Sequence, residues 1–182
     1  MRKNVLLLAL LALIIVAGVV AYVLGTVRDN KPAQKPWQAP EARESQTIPD
    51  GLEYQTVTVA VPSASKTYEL QVADTLEKQR LGLGVRESIG GDGMIFPYTK
   101  PQQLCYWMKD MKYSIDMIWL DPSKQVVKLE PEVSPSTYPR TTFCQDEAQY
   151  VVELASGQAA RDGVVVGMTM EFDLAAKSDP AQ

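Results

Sequence analysis

Ile115 to Leu120 is an apolar run broken only by Asp116. A carboxylate in such a run needs a partner before it can be buried, and Arg86 and Lys109 are the cations at hand. Two readings stay open. In the first, Asp116 forms a buried ion pair, or accepts backbone N–H groups, and ties the 84–96 loop to the sheet. In the second, Asp116, Arg86 and Lys109 surround a pocket for a small polar or anionic ligand. Arginine would supply a planar fork there and lysine a point charge. As an enzyme, the same trio would use Asp116 as acid or base and the cations as electrostatic stabilisers. Glu153 alternates with Val152 and Leu154, the position of a solvated glutamate or a cross-strand pair. It joins the binding candidates, and with Asp116 it makes a nominal carboxylate pair for glycoside hydrolysis.

Other chemistry is sparse. The sequence has no histidine, which removes His-dependent triads, His-based acid–base schemes and nearly every usual zinc or non-haem iron site. Trp107 and Trp119, with Tyr98, Tyr106 and Tyr113 near by, are either core or a surface on which a glycan stacks; Trp107 is kept as a binding candidate. Cys105, Met108 and Met111 stand three apart, with Met94 and Met117 close in sequence. Soft sulfur ligands suit Cu(I), but methionine as core filler is the simpler reading, and no metal or other cofactor is expected. Gly90-Gly-Asp-Gly93 is turn chemistry, since no lysine or helix start follows it to cradle a phosphate. Cys105 and Cys144 are the only cysteines. In an exported domain such a pair forms a disulfide, and closing a loop of about 40 residues contributes about 4 kcal/mol.

These residues sit in a region whose dominant period is two. Val57, Val59 and Val61 alternate with polar or small residues, as do Tyr68, Leu70 and Val72. The same holds for Tyr150, Val152 and Leu154, and for Met168, Met170 and Phe172. This is the pattern of half-buried antiparallel strands. Ile115 to Leu120 reads as a central strand, and Asp121-Pro-Ser-Lys124 turns the chain into its hairpin partner, Gln125 to Glu130. Asp74-Thr-Leu-Glu77 resembles a capping box opening a short helix that closes near Gly82 and Gly84. Ser156 to Gly163 is a short capped turn. The expected fold is mainly β, a compact antiparallel sandwich or flattened barrel of seven to nine strands with one or two short helices, over residues 51–175.

Ahead of this domain, Met1-Arg-Lys-Asn4 is followed by Val5 to Leu24, a stretch without charge. A helix of about 20 residues spans about 30 Å, the hydrocarbon thickness of a bilayer. Residues 1–25 therefore read as a signal anchor, with the basic end cytoplasmic and the C-terminal domain extracytoplasmic at the cell membrane. Cleavage near Val19-Val20-Ala21, leaving a secreted or periplasmic chain, is the alternative. Residues 26–50 hold Pro32, Pro36, Pro40 and Pro49 and read as a flexible linker, in which Trp37 is the one large apolar residue. Residues 176–182 read as a disordered tail. The net charge of −4 makes a nucleic-acid partner a poor fit.

Read as motifs, the folded part contains Gly82-Leu83-x-x-Arg86, Gly93-Met-Ile-Phe96, Trp107-Met-Lys109, Ile115-Asp116-Met-Ile118 and Val152-Glu-Leu-x-x-Gly157, followed by Val166-Gly167. In this order and spacing they resemble the small prokaryotic family known as domain of unknown function 192. The resemblance implies a compact, mainly-β domain that is frequently exported or membrane-tethered, and it implies no particular reaction. The leading expectation is therefore a membrane-tethered extracytoplasmic module that binds a small polar or anionic ligand, a glycan or an envelope protein.

Overall fold

The computed structural model describes residues 51–174. The segment Val5 to Leu24, the linker 26–50 with Trp37, and the tail 176–182 lie outside the described residues. Among the described residues no helix is long and apolar enough to cross a membrane.

Six strands form one sheet: β1 (Thr56–Val61), β2 (Lys66–Val72), β3 (Gly93–Tyr106), β4 (Ile115–Leu120), β5 (Val126–Val133) and β6 (Phe143–Ala155). Their spatial order is β1-β2-β3-β6-β4-β5. Two short helices, α1 (Leu76–Leu81) and α2 (Gln158–Asp162), complete it. The fold is mainly β, but the expected sandwich or barrel of seven to nine antiparallel strands is corrected to a single open, mixed sheet of six strands. The residues between β2 and β3 cross over through α1 instead of turning tightly, so these two strands pair in parallel, Leu70 with Gly93 and Val72 with Ile95. The count falls because β3 and β6 are single long strands of 14 and 13 residues. The alternating Met168–Phe172 segment is not a strand. It makes only the isolated bridges Gln125 to Thr169 and Ala60 to Glu171.

The helix signals correspond to real elements. Thr75, not Asp74, caps α1, its side chain accepting from the Lys78 N–H at 3.2 Å, and Gly82 ends the helix at φ 51°. Gly163, at φ 71°, closes α2. At the end of α2, Asp162 accepts from the Tyr68 hydroxyl at 2.9 Å and pairs with Lys66 at 3.0 Å, which fastens the helix to β2.

Both faces of the sheet are covered. Ile118 and Leu120 of β4 point with Ile95, Leu70, Val152 and Leu154 into one hydrophobic cluster, closed by Ala159, Met170 and Phe172. Met117 and Trp119 point with Met94, Phe96 and Val151 into a second, closed by Leu83, Leu104 and Met108. Alternation along the strands places the two clusters on opposite faces. Each fully buried Leu, Ile or Met contributes roughly 1.5–3 kcal/mol, and β4, buried throughout, serves both clusters. Cys105 and Cys144 face each other across β3 and β6 and are joined, Cα to Cα 4.1 Å.

Candidate functional site

A cavity of about 410 Å³ opens on the second face, between α1, the 82–85 turn, the 107–111 loop and the bend of β3. Each wall has a local cause. Gly82 ends α1 and turns the chain down onto the ring of Phe96, 3.5 Å from where a Cβ would be. Gly84 then passes close to the Lys109 carbonyl oxygen, 3.3 Å from its Cβ position. The next residue, Val85, stands at φ 57° and donates its N–H to the Asp110 carbonyl at 2.8 Å; Asp110 itself has φ 58°. A left-handed β-branched residue is a strained arrangement that persists only where its surroundings impose it, and such strain gathers at functional sites.

Glu153 lines this cavity and is only 5% exposed. Paired with Met94 on one side and Met117 on the other, its side chain enters the second core. Its Oε2 is buried without a hydrogen-bond partner. Burial pushes its pKa up to about 8, and the positive charge of Arg86 offsets only part of that rise. The hydroxyls of Tyr98 and Tyr106, also lining the cavity, meet at 3.0 Å because β3 bends between them. Burial raises both, and the negative charge of Glu153 adds to it. Tyr113 donates to the Leu83 carbonyl at 3.2 Å and is pushed up to about 12, again chiefly by burial.

The expected site residues divide between the two faces. Lys109 and Trp107 line the cavity with Glu153. Arg86 lies behind its wall, donating to Gln71 Oε1 at 2.8 Å with its guanidinium 4.9 Å from the centre of the Tyr54 ring; its Nε is buried and unpartnered. Asp116 is on the other face. Its Oδ1 accepts from the N–H groups of Glu132 and Gly157, each at 2.8 Å, and its Oδ2 from Ala159 at 2.8 Å. The sheet therefore separates Asp116 from Arg86 and Lys109, and it ties the start of α2 and the end of β5 to β4, not the 84–96 loop. The same alternation sets Asp116 and Glu153 back to back, so they form no hydrolytic pair. A solvated Glu153 is also corrected: the second cluster covers the face on which that position alternates.

Among the other expectations, Trp119 is core, its indole N–H donating to the Leu104 carbonyl at 3.1 Å. Met94, Met108 and Met117 are buried in the second cluster and Cys105 is oxidised, so these sulfurs are core and cross-link. No group of three or more potential metal-ligating carboxylate or cysteine side chains occurs among the described residues. Arg80, Val85, Asp110 and Tyr138 also line the cavity, and sequence reasoning missed them. The eight-residue spacing of Tyr98 and Tyr106 was the one available hint, since it puts both on the same side of a strand.

The sequence profile of the DUF192 family, described as an uncharacterized ACR, matches residues 57–172. Two solved structures are similar. A protein of unknown function from Novosphingobium aromaticivorans DSM 12444 is 26% identical, with a TM-score of 0.59, over 76% of this chain and 99% of that one. A Sinorhizobium meliloti 1021 protein described as a candidate transcription regulator is 23% identical, with a TM-score of 0.59, over 66% of this chain and 96% of that one. No curated protein matches the chain.

Proposed function

The chain belongs to the domain of unknown function 192 family, and from that premise we propose that it is a membrane-tethered extracytoplasmic binding module. Its cavity over Glu153 takes a small ligand with an apolar body and one polar group. One observation carries the reading: a buried carboxyl oxygen without a partner, on a side chain that lines a cavity. Orphaned buried acceptors destabilise a fold by about 1–3 kcal/mol, and a ligand donor would remove that penalty. Aromatic and aliphatic walls around a few polar groups are the usual composition of a small-molecule site. The tether rests on Val5 to Leu24 behind a basic start. The Cys105–Cys144 disulfide suits an oxidising, extracytoplasmic compartment.

The test is a nuclear magnetic resonance screen of monocyclic aromatic fragments against the full-length chain in detergent micelles. Saturable binding is expected, with shifts at Trp107, Lys109 and Tyr98 and none at Asp116. If no fragment binds saturably, or the shifts fall on the Asp116 face, the cavity is not the site. Protease accessibility in intact cells checks the topology, since the reading requires residues 51–174 to be outside the cytoplasm.

A further inference from the structure

We propose that the ligand of this cavity carries a primary ammonium group on an apolar body, the ammonium donating to the carboxylate of Glu153. The inference rests on the ligand-cavity reading above and adds the charge of the ligand. The hydrogen-bonding balance of the site points this way. Once ionised, what Glu153 leaves open is an acceptor, Oε2. Of the neighbouring donors, Tyr98 and Tyr106 spend one of their two hydroxyl hydrogens on each other and Tyr113 gives its own to Leu83, while Arg86 Nε is unpartnered, and none of them bonds Oε2. Hydrogen bonds with an ionised partner are about twice as strong as neutral ones, and in an ammonium–carboxylate contact both partners are ionised. The rings of Phe96, Tyr98, Tyr106 and Trp107 line the same cavity, and aromatic faces attract cations and repel anions.

The groups around Glu153 also limit the ligand. From β3 it faces Tyr98 and Tyr106, from the 107–114 loop Tyr113, and from behind the wall Arg86, whose charge reaches it. Arg80, Lys109 and Asp110 line the cavity as well. With Arg80 and Lys109 set against Asp110 and Glu153, net charge by itself draws in neither a bare metal ion nor a bare ammonium. The ammonium must be delivered on a body that occupies the apolar walls. Binding is a balanced proton exchange: neutral Glu153 gives its proton to the buffer, and the carboxylate left behind pairs with the incoming ammonium.

The experiment is calorimetric titration of the full-length chain in micelles with benzylammonium, benzyl alcohol and benzoate, which share one body. Each is run at about pH 6 and pH 8.5 in two buffers of different protonation enthalpy. Benzylammonium is expected to bind, tightening up to about tenfold for each unit by which the pH rises toward the carboxyl's own pKa and releasing close to one proton at the lower pH. At pH 8.5, where Glu153 is ionised, benzyl alcohol should bind about tenfold more weakly, and benzoate not measurably. At pH 8.5, benzyl alcohol binding as tightly as benzylammonium, or benzoate being preferred, overturns the inference and leaves the cavity reading standing. If none of the three binds at either pH, both fall. In Glu153→Gln the preference for benzylammonium over benzyl alcohol should vanish, and its persistence would place the ammonium elsewhere. Should that variant not fold, the proton count on the unaltered chain reads the same group.

Discussion

A Cβ built on Gly93 would lie 2.0 Å from the carbonyl oxygen of Glu153. At the start of β3, the backbones of β3 and β6 come closer than any side-chain-bearing residue permits. The approach occurs where β6 hands Glu153 to the cavity. Gly93, at φ 148°, is therefore part of what places the carboxyl, although it touches nothing in the cavity itself.

Gly93→Ala should destabilise the fold by about 3 kcal/mol, the upper range for overpacking against a backbone that cannot give way. Gly91→Ala is the control. It has φ 104° but open space at its Cβ position, so only conformational strain of about 1–2 kcal/mol applies. Urea unfolding midpoints of the two variants give the comparison, and equal losses would deny the close approach its role.

Stability should fall as pH rises through the range in which Glu153 is neutral folded but ionised unfolded. Its folded pKa is raised to about 8 from an ordinary 4.5. Between those values the native state binds the extra proton, so the unfolding free energy declines by up to about 1.4 kcal/mol per pH unit and levels off above the upper value. The contribution is fully present below the lower value. In Glu153→Gln this decline should disappear, and chemical denaturation across pH 5 to 9 compares the two profiles. Parallel profiles would mean that Glu153 titrates normally.

Asp116→Asn should cost about 2–4 kcal/mol, because its amide presents hydrogens to N–H groups that now donate to a carboxylate. All three are lost or weakened at once: Glu132, Gly157 and Ala159. Because Asp116 sits on the face away from the cavity, benzylammonium affinity should change less than about twofold wherever the variant remains folded. A large loss of affinity with intact folding would tie Asp116 to the site.

Reducing the Cys105–Cys144 bond should lower stability by up to about 4 kcal/mol. It should also weaken fragment binding, because Cys105 lines the cavity. Thiol counting on the denatured, unreduced chain should find none; two free thiols would refute the cross-link.

Much of the scaffold was legible because strand alternation is a local signal. The valines of β1, the apolar run of β4 and its return through Asp121-Pro-Ser-Lys124 all correspond to strands or turns in the structure. Asp116 was readable as a buried carboxylate in need of partners. That those partners are three main-chain N–H groups was not, since backbone donors leave no trace in residue identity. The parallel β2–β3 pair was hidden for a similar reason: strand direction is set by the crossover, not by the strands. Glu153 misled because its period marks it as facing away from Val152 and Leu154, and only the second hydrophobic cluster turns that side into an interior. Val85 gave no warning at all, as valine is among the last residues expected at a positive φ.

The short segment after Gly167 binds both edges of the sheet. It exchanges hydrogen bonds with Ala60 of β1 through Glu171, at 2.7 and 2.8 Å. It meets the strand pair at the far side through Val126 and Lys124, at 2.8 and 3.0 Å. Mechanically this is a strap. A pull on the chain ahead of Thr56 would otherwise peel β1 from β2 one hydrogen bond at a time, the weakest way to load a sheet. With Glu171 fastened to Ala60, that load reaches β5 as well, and the last rungs of β1 yield only when the strap does.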